Sequence, residues 1–400
     1  MEIALVHDWL TGRRGGEKCL DILCRHYPQA TLHTLLHRRG STTETIERMP
    51  IRTSPLQLVP CIARSYRYFL PLMPWAIESL RLPDKLDLVV SCSHAVAKGV
   101  QVPRGAAHVC YCFTPMRYAW SLREDYFGGP ARANRLADLP AAMRNRLLDR
   151  LCEWDRAASD RVTHFVAISR TIQNRIRDCY GRESEVIYPP VDVDFYTPAD
   201  CQREDFYLCV SALVPYKRVE LAIDACNRLG RKLLIVGAGP LRKKFAAQAG
   251  PTVQLLGWQS DEEIRDLLRR CRALIFPGLE DFGIVPVEAQ ACGAPVIAYR
   301  AGGATETVLA PDSSRPGTGV FFNEQTVDSL CEAMLEVEAG RTSFCPATAR
   351  RNALRFSAQR FATEITTYLR RVVESQAVVG HPSVPELPAR NPATAADAAA

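Results

Sequence analysis

Glu280 and Glu288 are separated by seven residues, and between them lie Phe282-Gly283-Ile284-Val285-Pro286. A carboxylate accepts hydrogen bonds from hydroxyl groups. A helix N-terminus offers unpaired N–H groups and the positive end of its dipole to an anion. Two carboxylates framing a helix start therefore suit a ligand that presents hydroxyl, diphosphate and hydroxyl in series, which is the layout of a nucleotide-sugar. Lys217 and Arg218, in Ser211-Ala212-Leu213-Val214-Pro215-Tyr216-Lys217-Arg218, follow the apolar run Phe206–Val210 and offer an ammonium and a guanidinium to such an anion.

These residues need a scaffold, and the neighbouring pattern supplies one. Ala273 to Phe276 is an apolar run of strand type, and Pro286 suits the first turn of a helix, where its missing N–H costs nothing. Gly293 and Pro295 stop that helix, and Val296 to Tyr299 reads as the next buried strand. In an open α/β sheet, ligands bind outside the carboxyl ends of the strands. Leu233 to Val236 runs into Gly237-Ala238-Gly239-Pro240, a glycine turn with a helix starting at Pro240 that forms the cleft floor if the family resemblance below holds. It lacks the third glycine of a dinucleotide fingerprint. Gly15 and Gly16 follow the first strand and allow backbone to approach a phosphate closely.

The chain has 400 residues, enough for two domains with full cores. Its 47% apolar and 24% charged content are those of a globular protein. Glu2 to Val6 is too short for a signal peptide, lacks a basic flank and reads as a first strand. Fifteen cysteines without paired Cys-x2-Cys spacing read as core thiols in a reducing cytoplasm, so no metal is expected. Residues 1–190 carry 27 basic and 19 acidic side chains, while the whole chain has a net charge of +6, so the excess lies in the first half. That half is expected to meet an anionic partner: a phosphate-bearing lipid acceptor or a membrane surface. Nucleic acid ranks low, because no zinc-finger, single-strand-binding or helix-turn-helix pattern accompanies the charge.

Strand-like and helix-like segments alternate throughout, which predicts a parallel sheet with helices on both faces. Val89–Ser93, Ala107–Cys112 and His164–Ser169 read as strands and Pro140–Ser159 as a helix. Tyr188-Pro189-Pro190-Val191-Asp192 marks a chain crossing, because two prolines forbid helix. A second α/β unit begins at Phe206–Val210, Arg351–Glu374 is the last long helical stretch, and the Pro- and Ala-rich end has little to bury. The expected division is 1–190, 191–375 and a disordered tail at 376–400. Pro60 to Pro83 mixes arginines with aromatic residues, which suits an interfacial segment or a helix packed in the first domain.

Glu-x7-Glu with Phe-Gly after the first Glu and Ala-Cys-Gly-x-Pro-Val after the second resembles the retaining GT-B glycosyltransferases of the family 4 type. Val6-His7-Asp8-Trp9-Leu10, Ser93–Gly99, Cys110–Trp120 and Ile187–Asp192 are similar to a narrower group, the bacterial mannosyltransferases of O-antigen and related polysaccharide assembly. The resemblance covers residues 1 to about 375. It implies two Rossmann-like domains facing a central cleft, with a final helix crossing back to the first domain. It implies a nucleoside-diphosphate sugar donor, GDP-mannose in the narrower group, and a glycan or polyprenyl-linked acceptor in lipopolysaccharide or other cell-surface polysaccharide biosynthesis. The protein would be cytoplasmic, peripheral on the inner membrane face. No cofactor or metal is implied beyond the donor as co-substrate. On this pattern Glu280 binds donor-sugar hydroxyls, and Phe282, Gly283, Ile284 and Val285 hold sugar and phosphate. Glu288 binds the ribose, Lys217 the diphosphate, and Gly15 and Gly16 close from the other domain.

Two positions depart from the pattern. Ala212 stands where an arginine is usual five residues before the lysine, leaving Arg218 or an arginine of the first domain to substitute. Phe113 stands where a histidine commonly precedes Thr-Pro, leaving His7, His94 or His108 to read a hydroxyl. Two alternatives stand beside this reading: a nucleotide-sugar epimerase on the same fold, and, from the departures at Ala212 and Phe113, a catalytically impaired nucleotide-sugar-binding protein.

Overall fold

In the computed structural model, the residues described are 1–127, 138–312, 316–340 and 343–379. The first domain holds seven parallel strands: β1 (Ile3–His7), β2 (Thr31–Thr34), β3 (Ile51–Thr53), β4 (Leu88–Ser93), β5 (Ala107–Cys112), β6 (His164–Ala167) and β7 (Ser184–Val186). Their order in the sheet is β3-β2-β1-β4-β5-β6-β7. The second domain holds β8 (Tyr207–Val210), β9 (Leu233–Val236), β10 (Val253–Gly257), β11 (Ala273–Phe276), β12 (Val296–Tyr299) and β13 (Gly319–Phe322), ordered β10-β9-β8-β11-β12-β13. All the pairings are parallel. Helices cover both faces, so β1, β4 and β5 are buried along their full length.

In each sheet the winding reverses once: between β1 and β4 in the first, and between β8 and β11 in the second. A reversal leaves a crevice at the carboxyl ends of the two central strands, because the loops leave in opposite directions. The β1–β4 pairing sets His7 opposite Cys92, so Asp8-Trp9 and Ser93-His94 emerge side by side.

The chain crosses between domains twice in one place. Val191 N–H donates to Phe356 O at 2.8 Å, and Arg360 donates to Tyr188 O at 2.8 Å. The expected last helix is two helices, Pro346–Leu354 and Ala358–Val379, broken at Ser357, whose hydroxyl accepts from Arg360 N–H at 3.2 Å. The second returns to the first domain, where Phe361 meets Tyr111 edge-on at 5.5 Å. It reaches Val379, beyond residue 375 where the sequence placed the domain's end, and residues 380–400 of the expected tail lie outside the described residues. The helix expected from Pro240 starts at Arg242.

Pro60–Pro83 forms short pieces, Ile62–Ser65, a 3₁₀ run Tyr66–Leu72 and Met73–Glu78, because Pro71 and Pro74 interrupt a continuous helix. Its inner side buries Ile62, Tyr66, Leu70, Met73 and Ile77, while Tyr68, Leu72 and Trp75 are exposed, Trp75 by 56%. All fifteen cysteines are free thiols, twelve of them buried. Among the described residues no helix is long and apolar enough to cross a membrane.

Candidate active site

The two switch points face each other across a cleft of about 730 Å³. From the second domain it is lined by Ala212, Tyr216, Lys217, Gly239, Glu280 and the run Phe282 to Val285. From the first it is lined by His7, Trp9, Gly15, Gly16, His94, Phe113 and Arg117.

Gly283 adopts φ 89°, a left-handed backbone that a side chain would strain, and starts the helix Ile284–Ala291. No side chain caps that helix, so the N–H groups of its first turn look into the cleft without an internal acceptor from a capping residue. Phe282 is buried against Tyr188 and Phe356, which fixes the loop at the domain crossing. Glu280 is ion-paired with Lys217, and both side chains are largely shielded. Each keeps the other's charge compensated.

The opposing wall has to come very close. A Cβ on Gly15 would lie 2.7 Å from Ile284 Cδ1, and one on Gly16 would lie 3.2 Å from the Phe113 ring. These glycines begin the helix Gly15–His26, whose Lys18 reaches across to Glu288 at 3.2 Å. Burial pushes the Glu288 carboxyl up, and Lys18 opposes that shift. Glu288 therefore lies under an interdomain ion pair and does not line the open cleft.

Two further expected site residues also lie outside the cleft lining. Gly237 does not line the cleft: at φ 140° its α-carbon packs on Ser211, where a Cβ would come within 1.9 Å of the carbonyl oxygen. Gly239 and Pro240 provide the floor instead. Arg218 also misses the cleft. It holds a left-handed backbone, φ 54°, at the start of the helix Val219–Leu229, and its guanidinium pairs with Glu220 at 3.2 Å. It therefore does not substitute for the arginine absent at Ala212.

Of the three candidate histidines, His108 is fully buried, bonded to Ser91 Oγ at 2.8 Å and to Arg161 O at 3.0 Å; burial lowers its pKa to about 4. It belongs to the core. His7 and His94 face the cleft, their rings each 6.4 Å from that of Phe113. Burial lowers the His7 pKa, so the ring is neutral near pH 7. His94 Nδ1 lies 2.8 Å from the Asp8 carboxylate and its ring meets Trp9 edge-on at 4.6 Å.

Asp8 was not singled out in the sequence. Its buried carboxylate accepts the backbone N–H groups of His94, Ala95, Val96 and Ala97 at 2.7–3.0 Å. Burial alone would raise its pKa; His94, with His7 and the backbone N–H groups, holds it well below the usual carboxylate range. The imidazole is thus fixed with Nδ1 toward Asp8 and Nε2 free to meet a ligand. Arg117 was quoted only within a longer motif. Asp8 escapes sequence reading because its partners are more than eighty residues away.

The domains are clasped beside this cleft. Asp281 pairs with Arg175 at 2.8 Å and Arg117 at 3.5 Å, and its carbonyl accepts Ser169 Oγ at 2.6 Å. Glu306 accepts the N–H groups of Arg170 and Thr171 at 2.8 and 3.0 Å, so the second domain supplies an anion to a helix N-terminus of the first.

Residues 200–354 match the family model of glycosyl transferases group 1. That match lies within the second domain. An uncharacterized glycosyltransferase of Methanocaldococcus jannaschii is 34% identical over 179 residues, 43% of this chain and 49% of that protein. A GDP-mannose-dependent monoacylated alpha-(1-6)-phosphatidylinositol monomannoside mannosyltransferase of Corynebacterium glutamicum is 30% identical over 201 residues, 42% of this chain and 51% of that one. The chain spans about half the length of the curated relatives it matches. In structure it resembles Anabaena HepE in complex with UDP-glucose, with a TM-score of 0.63 and 19% identity, covering 93% of this chain and all of that one. The fold is GT-B, and residues 200–354 lie in the domain opposite the one that carries Asp8 and His94.

Proposed function

We propose that this protein transfers a sugar from a nucleoside-diphosphate donor to an acceptor seated on the first domain. The observation that carries the reading is the single cleft that brings Lys217, Glu280 and an uncapped helix N-terminus against Gly15 and Gly16. The diphosphate takes the N–H groups of the helix start and the Lys217 ammonium, Glu280 takes sugar hydroxyls, and Glu288 takes the ribose once Lys18 moves aside. As the glycosidic bond breaks, negative charge grows on the diphosphate, and Lys217 and the helix dipole stabilise it in place. With retention of configuration, the diphosphate oxygen receives the acceptor's proton on the face it leaves. Closure of the domains excludes water that would hydrolyse the donor. On this reading no metal is required.

The mannosyltransferases among the relatives support GDP-mannose as donor. The basic first half and the exposed Tyr68, Leu72 and Trp75 support a lipid-linked acceptor approached at a membrane surface, as in assembly of a surface polysaccharide. A thermal-shift panel of GDP-mannose, UDP-glucose and related donors tests the donor. Saturating ligand at about a hundredfold over Kd stabilises by roughly 3 kcal/mol. The matching donor shifts the melting temperature and is consumed only when a lipid-linked acceptor is added. Release of free sugar without acceptor would instead mark an epimerase, and binding without consumption a binding protein.

A further inference from the structure

Lys217 is one ammonium, while the diphosphate of a nucleotide-sugar carries two negative charges. Ala212 presents only a methyl group to the cleft and Arg218 is turned away, so the second domain supplies no second cation from this segment. The first domain does. Arg117 lines the cleft, and its guanidinium carbon lies 5.3 Å from the centre of the Tyr216 ring, while Lys217 Nζ lies 5.5 Å from the same centre. Two cations from two domains thus meet at one aromatic side chain. We propose that Arg117 is the second diphosphate-binding cation of this cleft and that it reaches the donor by leaving Asp281.

The geometry makes that exchange inexpensive. Arg117 meets Asp281 at 3.5 Å, too long for a strong charged hydrogen bond, whereas Arg175 holds the same carboxylate at 2.8 Å and also donates to Thr114 Oγ1 at 2.8 Å. When Arg117 turns to a phosphate, Asp281 keeps a close partner and no buried charge is stranded. Arg175 does not line the cleft, so it stays as the anchor. Arg117 is positioned from behind: its helix Arg117–Trp120 ends in Trp120, whose indole N–H donates to buried Asp155 at 2.8 Å, and Asp155 is ion-paired with buried Lys98. Tyr126 of the first domain stacks on Tyr216 at 5.5 Å and 15°, which fixes the ring beside the two cations.

The proposal rests on the nucleotide-sugar reading above, and calorimetric titration separates the two. Wild-type protein is titrated with GDP, UDP and ADP and with the matching nucleosides. If it binds none of the diphosphates, the donor reading fails and this proposal with it. If it binds one, Arg117→Ala should weaken that diphosphate about 10- to 100-fold while nucleoside affinity stays within twofold, and Arg117→Lys should keep part of the difference. A structural role for Arg117 would weaken diphosphate and nucleoside together, and that result overturns the proposal, as does an Arg117→Ala variant that binds the diphosphate as wild type does. A circular-dichroism melt within a few degrees of wild type accompanies each titration.

Discussion

The two switch points of this molecule occupy equivalent places in two similar sheets, yet they deal with negative charge in opposite ways. In the first domain, the N–H groups after β4 are filled from within: Asp8 accepts four of them and anchors His94. In the second domain, the helix after β11 starts at Gly283 with no capping side chain, and Lys217 and Glu280 stand before it. One crevice carries its own anion and the other is prepared for an external one. On the proposed reading, a diphosphate would go to the second domain, where its charge is not already answered from within.

Removing the cation from the prepared crevice should have the largest effect. Lys217→Ala is expected to lower turnover about 10²- to 10³-fold, the range for loss of one group aimed at developing charge; steady-state assay with the donor identified by thermal shift measures it. Turnover within threefold of wild type would break the contrast, since the crevice would then not be where charge develops.

The filled crevice should respond in stability first. Asp8→Asn is expected to cost about 3 kcal/mol in denaturant unfolding, because a buried acceptor of four N–H groups loses its charge and one oxygen. The pH dependence has a definite sign. Asp8 is held below its unfolded value of 3.8, so its contribution is present above that pH and is lost as pH falls through the folded value. His7 is lowered by burial, so acidification below 6.5 favours the unfolded, protonated ring. Wild-type stability should therefore fall with acid in two stages, and the Asp8→Asn variant should lack the lower one. An unchanged acid profile would remove Asp8 from its assigned place.

Glu288→Ala should weaken donor binding tens of fold and so erase most of the thermal shift, with free sugar unaffecting either protein. An unchanged shift would mean that the Lys18–Glu288 pair only joins the domains. The smallest effect is expected on the outer face of the first domain. Trp75→Ser should lower partitioning onto vesicles containing about a quarter anionic lipid a few-fold, by loss of one interfacial aromatic side chain, and leave nucleotide affinity unchanged. Equal partitioning would detach this face from the acceptor side.

The fold was largely legible in the chain. Buried parallel strands read as short apolar runs bounded by glycine and proline, and Pro189-Pro190 announced the crossing between domains. Errors arose where local signals stop short. Arg351–Glu374 reads as one helix because nothing in its composition forbids continuation; the break at Ser357 comes from the crossing strand, which takes Phe356 O for Val191. At the site, Lys217, Glu280 and Gly283 lie within seven residues of their own strand ends, and that placement together with the family resemblance brought them forward. Arg218 shared that spacing but not the direction, which its left-handed backbone decided.

What the sequence by itself determined is therefore the periodic and punctuated part: two doubly wound sheets, the glycines that let the walls meet, and the residues that follow β8 and β11. What only the tertiary structure decided is who faces whom. Asp8 gathers N–H groups from His94 to Ala97, Lys18 covers Glu288, and Arg117 stands with Lys217 on one ring, each through contacts that span many tens of residues or more. Such pairings depend on strand order and on how the two domains close. No local spacing encodes those, because chain separation says nothing about distance once a sheet has reversed its winding.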